Sequence, residues 1–381
     1  MQKMRIVGVL CTIVMSFAFA YAQSDSVLLK DKEETILARV VKVTDSVIKD
    51  VPNTETKALY QTVTVRFIKG ERIGKEVTIQ DTSFPMKVGD KVYVRYITTS
   101  DASEYYSIQE PYRIQALLYL FGFFFIAVLL FGGKQGFLSL IALFISFGVI
   151  FKILFPQIIE GGNVVVIATL GALLSLFVVM YMTHGFTRLT TAAFLGCTAS
   201  VLVTLLLAVV SVQATALTGF SDEESVFLNI ATKGNIDFIA LLVGGIIIGV
   251  IGVVDDVAIT QASVVHELRH ANPNLSSREL YKKASAVGKN HMGAVINTLI
   301  LAYTGASLPL VLLLYVSESP VLELINREAI ATEIIRSCVG SIGLLCAVPL
   351  TTVIAIILMK DSSYTQGGVG NTHGVAHMHH Y

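Results

Sequence analysis

Two consecutive carboxylates, Asp255 and Asp256, follow an unbroken uncharged run from Phe238 to Val254. An ionised carboxylate in hydrocarbon costs on the order of 2.5 to 3.5 kcal/mol even on insertion scales, so such a pair marks a functional site by default. Two acids side by side in a poorly solvated place cannot both ionise readily, which is the chemistry of a group that loads and releases a proton. On a helix rising about 1.5 Å per residue they lie ~26 to 29 Å from Asp237, towards the far side of a bilayer rather than at its centre. The competing reading is a helix that ends near residue 254 and leaves both in interfacial water.

Helical spacing of three, four and seven puts Gly245, Gly249, Gly252, Asp256, Thr260, Ser263 and Glu267 on one stripe, with Asp255 turned by about 100°. Gly245-xxx-Gly249 is a small-xxx-small pattern, so Gly245, Gly249 and Gly252 are expected to pack closely against a neighbour, with Asp256 facing a helix or cavity. Thr260, Gln261 and Glu267 continue the polar end of that helix, either as a polar relay or as packing residues. Candidate partners on the next apolar segment are His291, Asn297 and Thr298, either as a polar relay or as interhelical hydrogen bonds. An aspartyl intramembrane protease would need two acids on separate, facing helices, and no second deep acid exists, so no catalytic residue is assigned.

Other chemistries find little support. Cys11, Cys197, Cys338 and Cys346 all lie in apolar stretches, which gives neither a disulfide framework nor a zinc spacing. His373, His377, His379 and His380 are scattered irregularly through a Gly/Ser/Thr-rich end, which reads as a disordered tail over 361–381. No metal and no cofactor is expected. Twenty-eight basic residues balance twenty-eight acidic ones, so no basic field invites nucleic acid.

The elements that must hold the acid pair come from composition. With 54% hydrophobic and 15% charged residues, the lipid bilayer has to be the solvent for much of the chain. Beyond Arg113 there are seven hydrophobic stretches, at about 114–132, 136–155, 163–183, 190–214, 237–262, 292–316 and 334–359, each long enough to cross. Residues 1–22 have a basic start, an apolar run and Ala20-Tyr21-Ala22, so they are either a cleaved secretory signal or a signal anchor forming an eighth span. Both place residues 23–112 outside the cytoplasm. Counting Lys and Arg in short loops agrees: Lys134, Arg188, Arg269, Arg278, Lys282, Lys283, Lys289 and Lys360 fall on one side, Lys233 and Arg327 on the other. The expected architecture is a seven-span polytopic α-helical membrane domain over 113–360, with a cytoplasmic C-terminus, in a bacterial inner membrane.

Residues 23–112 differ in kind, being rich in charged and β-branched residues. Strand-like segments at 36–43, 60–68, 76–79, 91–97 and 105–108, separated by Gly70, Gly74 and Gly89-Asp90, predict a small all-β domain, with an OB-like barrel as one fit among small sandwiches. Tyr93, Tyr96, Tyr105 and Tyr106 are either a recognition patch or core, the second being usual at strand spacing. Between the fifth and sixth spans, Asn272-Pro273 stops one helix, and Ser276 or Ser277 caps a short amphipathic one carrying Leu280, Ala284 and Val287. Lys152 and Arg336 lie near span ends and are expected to snorkel.

Gly252-Val-Val-Asp-Asp-Val-Ala-Ile-Thr-Gln-Ala-Ser263, Glu267-Leu-Arg269, Glu279-Leu-Tyr281, Gly288 to His291 and the run Asn297 to Leu310 together resemble the YibE/F-like family of bacterial multi-pass membrane proteins. The resemblance implies a multi-span architecture over about 113–360 and no particular chemistry. The order of apolar helix, Asp-Asp, Glu-x-x-Arg and amphipathic connection is also similar to the proton-carrying helix of the resistance-nodulation-division exporters, which implies proton loading at Asp255 and Asp256. Against that pattern this chain has extra preceding spans, no deep lysine, a small external domain and half of the tandem repeat, which two associated copies would reduce. The reading is a non-enzymatic proton-coupled transporter, or a component energising export by an unidentified envelope protein, acting as a homodimer. The alternative is a scaffold or envelope-assembly factor working through its external domain.

Overall fold

The computed structural model describes residues 32–50, 57–81, 84–98 and 103–359; the expected signal segment at 1–22 and the tail at 361–381 lie outside them. The chain divides into two compact units between Phe131 and Gly132. The sequence reading put the boundary at 112/113, where composition changes.

The first unit carries five antiparallel strands, β1 (Lys32–Asp50), β2 (Lys57–Phe67), β3 (Glu76–Asp81), β4 (Lys91–Thr98) and β5 (Glu104–Pro111), in the order β3-β2-β1-β4-β5. β1 is far longer than the segment predicted at 36–43. Register shifts between Val40 and Lys42 and between Val43 and Asp45 bend it, so that its first half pairs with β4 and most of the rest with β2. One strand thus belongs to both sides of a half-barrel. Alternation then buries Val92, Val94 and Tyr96 on β4 against Ile36, Ala38, Val40, Val63, Val65, Phe67 and Ile108. Tyr96 is core, as strand spacing suggested, whereas Tyr105 is 63% exposed.

Glu104 on β5 is the charged knot of this unit. It accepts hydrogen bonds from Tyr106 and Lys75, and pairs with Arg72, so the loop before β3 is tied to β5. The Tyr106 hydroxyl first, then Lys75 and Arg72, pull its carboxyl down to about 2 from its ordinary 4.5. A carboxyl depressed in the folded state stabilises that state above its unfolded pKa, and the contribution disappears as pH falls towards the folded value. Glu104→Gln should therefore lower the melting temperature of the β unit at pH 7, with the gap to wild type closing between about pH 4.5 and pH 2. Tyrosine circular dichroism melts of the full chain across that range check this.

From Ile114 on, the chain is helical: α1 (Ile114–Val149), a π-helical turn (Ile150–Leu154), α2 (Phe155–Ile159), α3 (Val164–His184), α4 (Arg188–Ala214), α5 (Glu223–Ala231), α6 (Phe238–Ala271), α7 (Ser277–Ala306), α8 (Leu308–Val316), α9 (Val321–Asn326) and α10 (Glu328–Leu358). Among the described residues, five helical segments are long and apolar enough to cross a membrane, Ile114–Ile159 and helices α3, α4, α6 and α10. The expected spans 114–132 and 136–155 are joined in the first of these, with a non-helical residue, Gly133 at φ 52 and ψ −133, between them. The expected span 292–316 is a bent pair, α7 and α8, meeting at 71°. Pro309 near the start of α8 removes a backbone donor at that junction. The amphipathic connection begins as expected with a capping box between Ser276 and Glu279. It is not a separate helix, however, and runs without a break into α7.

Helices α4, α6 and α10 form the packed centre of the second unit. Apolar side chains gain little by leaving lipid for protein, so close packing must come from small residues and interhelical hydrogen bonds. The Ser200 hydroxyl on α4 donates to the Gly343 carbonyl of α10 at 2.5 Å. A Cβ on Gly343 would lie 2.0 Å from the Thr204 hydroxyl, and one on Gly196 would lie 2.1 Å from that of Thr351. These glycines set how near the two helices approach.

Candidate functional site

Helix α6 starts on a side-chain cap, with Asp237 accepting from the Ala240 amide at 3.0 Å, and ends at Asn272 with Arg269 and His270 in its last turn. Its 34 residues are continuous. The reading in which the helix stops near residue 254 is thereby corrected: Asp255 and Asp256 sit halfway along it. Ile246, Ile247, Val250, Val254, Val257, Ala258, Ala262 and Val265 form its buried face. This periodic apolar face, rather than the glycine stripe, is what α4 and α10 cover.

Asp255 and Asp256 therefore have different surroundings. Asp255 lies in the wall of a half-open cavity of about 390 Å³ bounded by α1, the π-helical turn, α3 and α6. Ser139, Ser146 and Ser175 contribute hydroxyls, while Leu143, Ile150, Leu154, Leu176, Val179, Ile248 and Ile251 are among its apolar lining. Ser175 is only 9% exposed, and the hydroxyls of Ser146 and Ser175 are buried without a hydrogen-bond partner among the described residues. Asp255 accepts from the Asp256 amide at 2.9 Å. A buried hydroxyl left unpaired costs about 1 to 3 kcal/mol. The mostly apolar wall thus keeps two hydroxyls where structural economy would place apolar groups.

Two backbone features shape that wall. The π-helical turn admits one extra residue per turn, a device frequent at functional sites. Gly171 on α3 lets Leu154 of the turn seat against it, since a Cβ there would come within 2.1 Å of the Leu154 side chain.

Asp256 is exposed in the single chain, and so are Gly245, Gly249, Gly252, Thr260 and Glu267. The expected close packing of the glycine stripe is not found within the chain: a Cβ on Gly245 or Gly252 would meet nothing within 4 Å, and one on Gly249 only the Tyr303 hydroxyl. Gly244, one residue over, is the glycine packed on α3, 3.0 Å from the Ala168 methyl. Asp256 lies near enough to His184, at the C-terminal end of α3, to interact with it electrostatically.

The expected partners from α7 are not brought to the acid pair. His291, Asn297 and Thr298 are exposed, and the Thr298 hydroxyl donates back to its own helix at Ala294. Gln261 is 2% exposed and joins three helices, its amide donating to the Ala284 carbonyl at 3.1 Å and the Thr352 hydroxyl at 2.7 Å. It is a packing tie. Ser139, Ser146, Ser175 and His184 were missed from sequence because a serine in an apolar span is ordinary; only the recurrence of Ser139 and Ser146 seven apart offered a signal. Among the described residues no cluster of three or more His, Cys, Asp or Glu could hold a metal ion.

The fold and site define a multi-helix protein with helices long and apolar enough to cross a membrane, one of which carries a half-buried carboxyl in the wall of a cavity. The family model for YibE/F-like protein matches residues 120–361, more than half the chain, and the chain belongs to that family. No curated protein and no solved structure matches it.

If the serines of the cavity serve a ligand and not the fold, their removal is harmless to stability. Ser175→Ala should melt at or slightly above wild type, whereas Ser200→Ala, which breaks the bond to Gly343, should lose about 1 kcal/mol. Thermal unfolding of both variants in the same detergent checks this contrast.

Proposed function

We propose that this protein is a proton-coupled membrane transporter, or the energising component of an export system with another envelope protein, in which Asp255 and Asp256 carry the proton. One observation supports the reading above the rest: Asp255 lines a cavity among apolar helices, beside the Ser146 and Ser175 hydroxyls, which have no partner among the described residues. A carboxyl kept there at such cost is more readily explained by exchange of a proton than by structure. The distant likeness to the proton-carrying helix of resistance-nodulation-division exporters points the same way.

The topology that goes with this reading has the β unit outside a bacterial inner membrane, folded as an OB-like half-barrel, and the C-terminus inside. Gly133 then turns the chain between two crossings, and the bent pair α7–α8 counts as one, giving seven. Loop charge supports the orientation. Lys152 is exposed in the π-helical turn, and Arg336 pairs with Glu333 at 2.6 Å on α10, as residues near an outer interface do.

The stripe that carries Asp256 asks for cover. A second copy laid on Gly245, Gly249 and Gly252 would remove Asp256 from lipid and supply the half of the tandem repeat that one chain lacks. Gly249→Leu should then convert detergent-solubilised dimer to monomer by light scattering; a monomeric wild type removes this part of the reading.

Proton flux into liposomes under two imposed gradients tests the central claim. Asp255→Asn and Asp256→Asn should each lower it by about tenfold or more at unchanged abundance and melting temperature, the effect of losing an essential acid. Equal flux in wild type and both variants overturns the carrier and leaves the scaffold reading, in which Asp256→Asn still complements a deletion.

A further inference from the structure

The cavity beside Asp255 is far larger than a proton needs. A transferable proton requires a carboxyl and a file of hydroxyls or waters, but the half-open space between α1, the π-helical turn, α3 and α6 is about 390 Å³ and is lined mostly by Leu, Ile and Val side chains. That volume suits a compact molecule of about ten to fifteen non-hydrogen atoms, at the small end of ligand pockets. Its polar side chains are one carboxyl and three hydroxyls. Asp255 can present a negative charge, and Ser139, Ser146 and Ser175 present hydroxyls, two of them buried and unpaired. Among the described residues no cationic side chain lines the space, so an anionic ligand would find nothing there to balance it. A bare metal ion would find one carboxylate and hydroxyls on three different turns, in a volume that cannot close around it. An ionised carboxylate surrounded by hydrocarbon is stabilised best by a cation that brings its own apolar surface and N–H donors.

We propose that this cavity is a binding site for a small lipophilic organic cation, a protonated amine whose ammonium group pairs with Asp255 and hydrogen-bonds the Ser146 and Ser175 hydroxyls while its hydrocarbon body lies against Leu143, Leu176 and Ile251. The proposal shares the cavity with the proton reading and extends it. Amine and proton compete for the same carboxyl, so a cation leaving the site and a proton arriving there are one exchange. The structural basis is asymmetric: Asp256, on the uncovered stripe, does not line the cavity. Gly171 and the π-helical turn matter here because a side chain at 171 would drive Leu154 into the space.

The test uses the full chain in lipid nanodiscs and isothermal titration with adamantylammonium, a compact cage bearing one charge, against the neutral alcohol of the same cage. Wild type should bind the ammonium at least tenfold more tightly than the alcohol. Asp255→Asn should abolish that preference, and Val179→Phe, which narrows the space and leaves the acid untouched, should weaken both ligands by a similar factor. Ser175→Ala should weaken the ammonium several-fold. Equal binding of ammonium and alcohol by wild type overturns the proposal, as does an unchanged preference in Asp255→Asn that still melts like wild type. The two readings of the cavity separate cleanly: amine binding lost in Asp255→Asn with proton flux intact retires the proton carrier and leaves the amine site, whereas flux lost with amine binding intact does the reverse.

Discussion

A carboxyl halfway along an apolar helix constrains every helix around it. Water cannot solvate it cheaply there, so the neighbouring chain must either supply polar atoms or enclose a space that does. The second unit does this on one side of α6 only. On that side α1, the π-helical turn and α3 stand back far enough to leave a cavity edged with hydroxyls around Asp255. On the opposite flank α4 and α10 close tightly over Ile246, Val250, Val254 and Val257. The tight side is what makes the loose side tolerable.

That tight packing rests on small residues at helix crossings. Gly196 and Gly343 bring α4 and α10 near enough for the Ser200 hydroxyl to reach the Gly343 carbonyl. Gln261 adds a polar tie to Ala284 and Thr352 lower in the bundle. In lipid, where apolar burial drives little, such contacts fix the separation of the helices. Gly288 follows the same logic, since a Cβ there would sit 2.5 Å from the Gln261 side-chain oxygen. Removing the glycine would remove the tie.

The β unit obeys the rules of a water-soluble module instead. Alternating residues on β4 divide into a buried row and a wetter row. The longest strand bends at its bulges to join two partners, and the Arg72, Lys75, Glu104 and Tyr106 knot holds the loop before β3 to β5. A sheet of this size buries a modest core, so these ties at its open side matter more than they would in a large domain.

Composition and the 3.6-residue and 2-residue periods were enough to read the helical character, the five strands and the acid pair, because each depends on local sequence. Membership of the YibE/F-like family was legible for the same reason, in the contiguous run around Gly252 to Ser263. The strand β1 outran its prediction because a bulge depends on the partner strand, not on its own residues. The expectation that Asp256 faces a helix or cavity is not met within the chain, where Asp256 is exposed and Asp255 lines the cavity. A helical wheel assigns Asp255 and Asp256 to faces about 100° apart but says nothing of which face another helix will cover. The sequence put the glycines with the covered face, and packing chose the apolar face next to it. Whether a carboxyl meets a cavity or an open flank is decided by how α1, α3, α4 and α10 assemble around α6, a property of the whole bundle that no single segment carries.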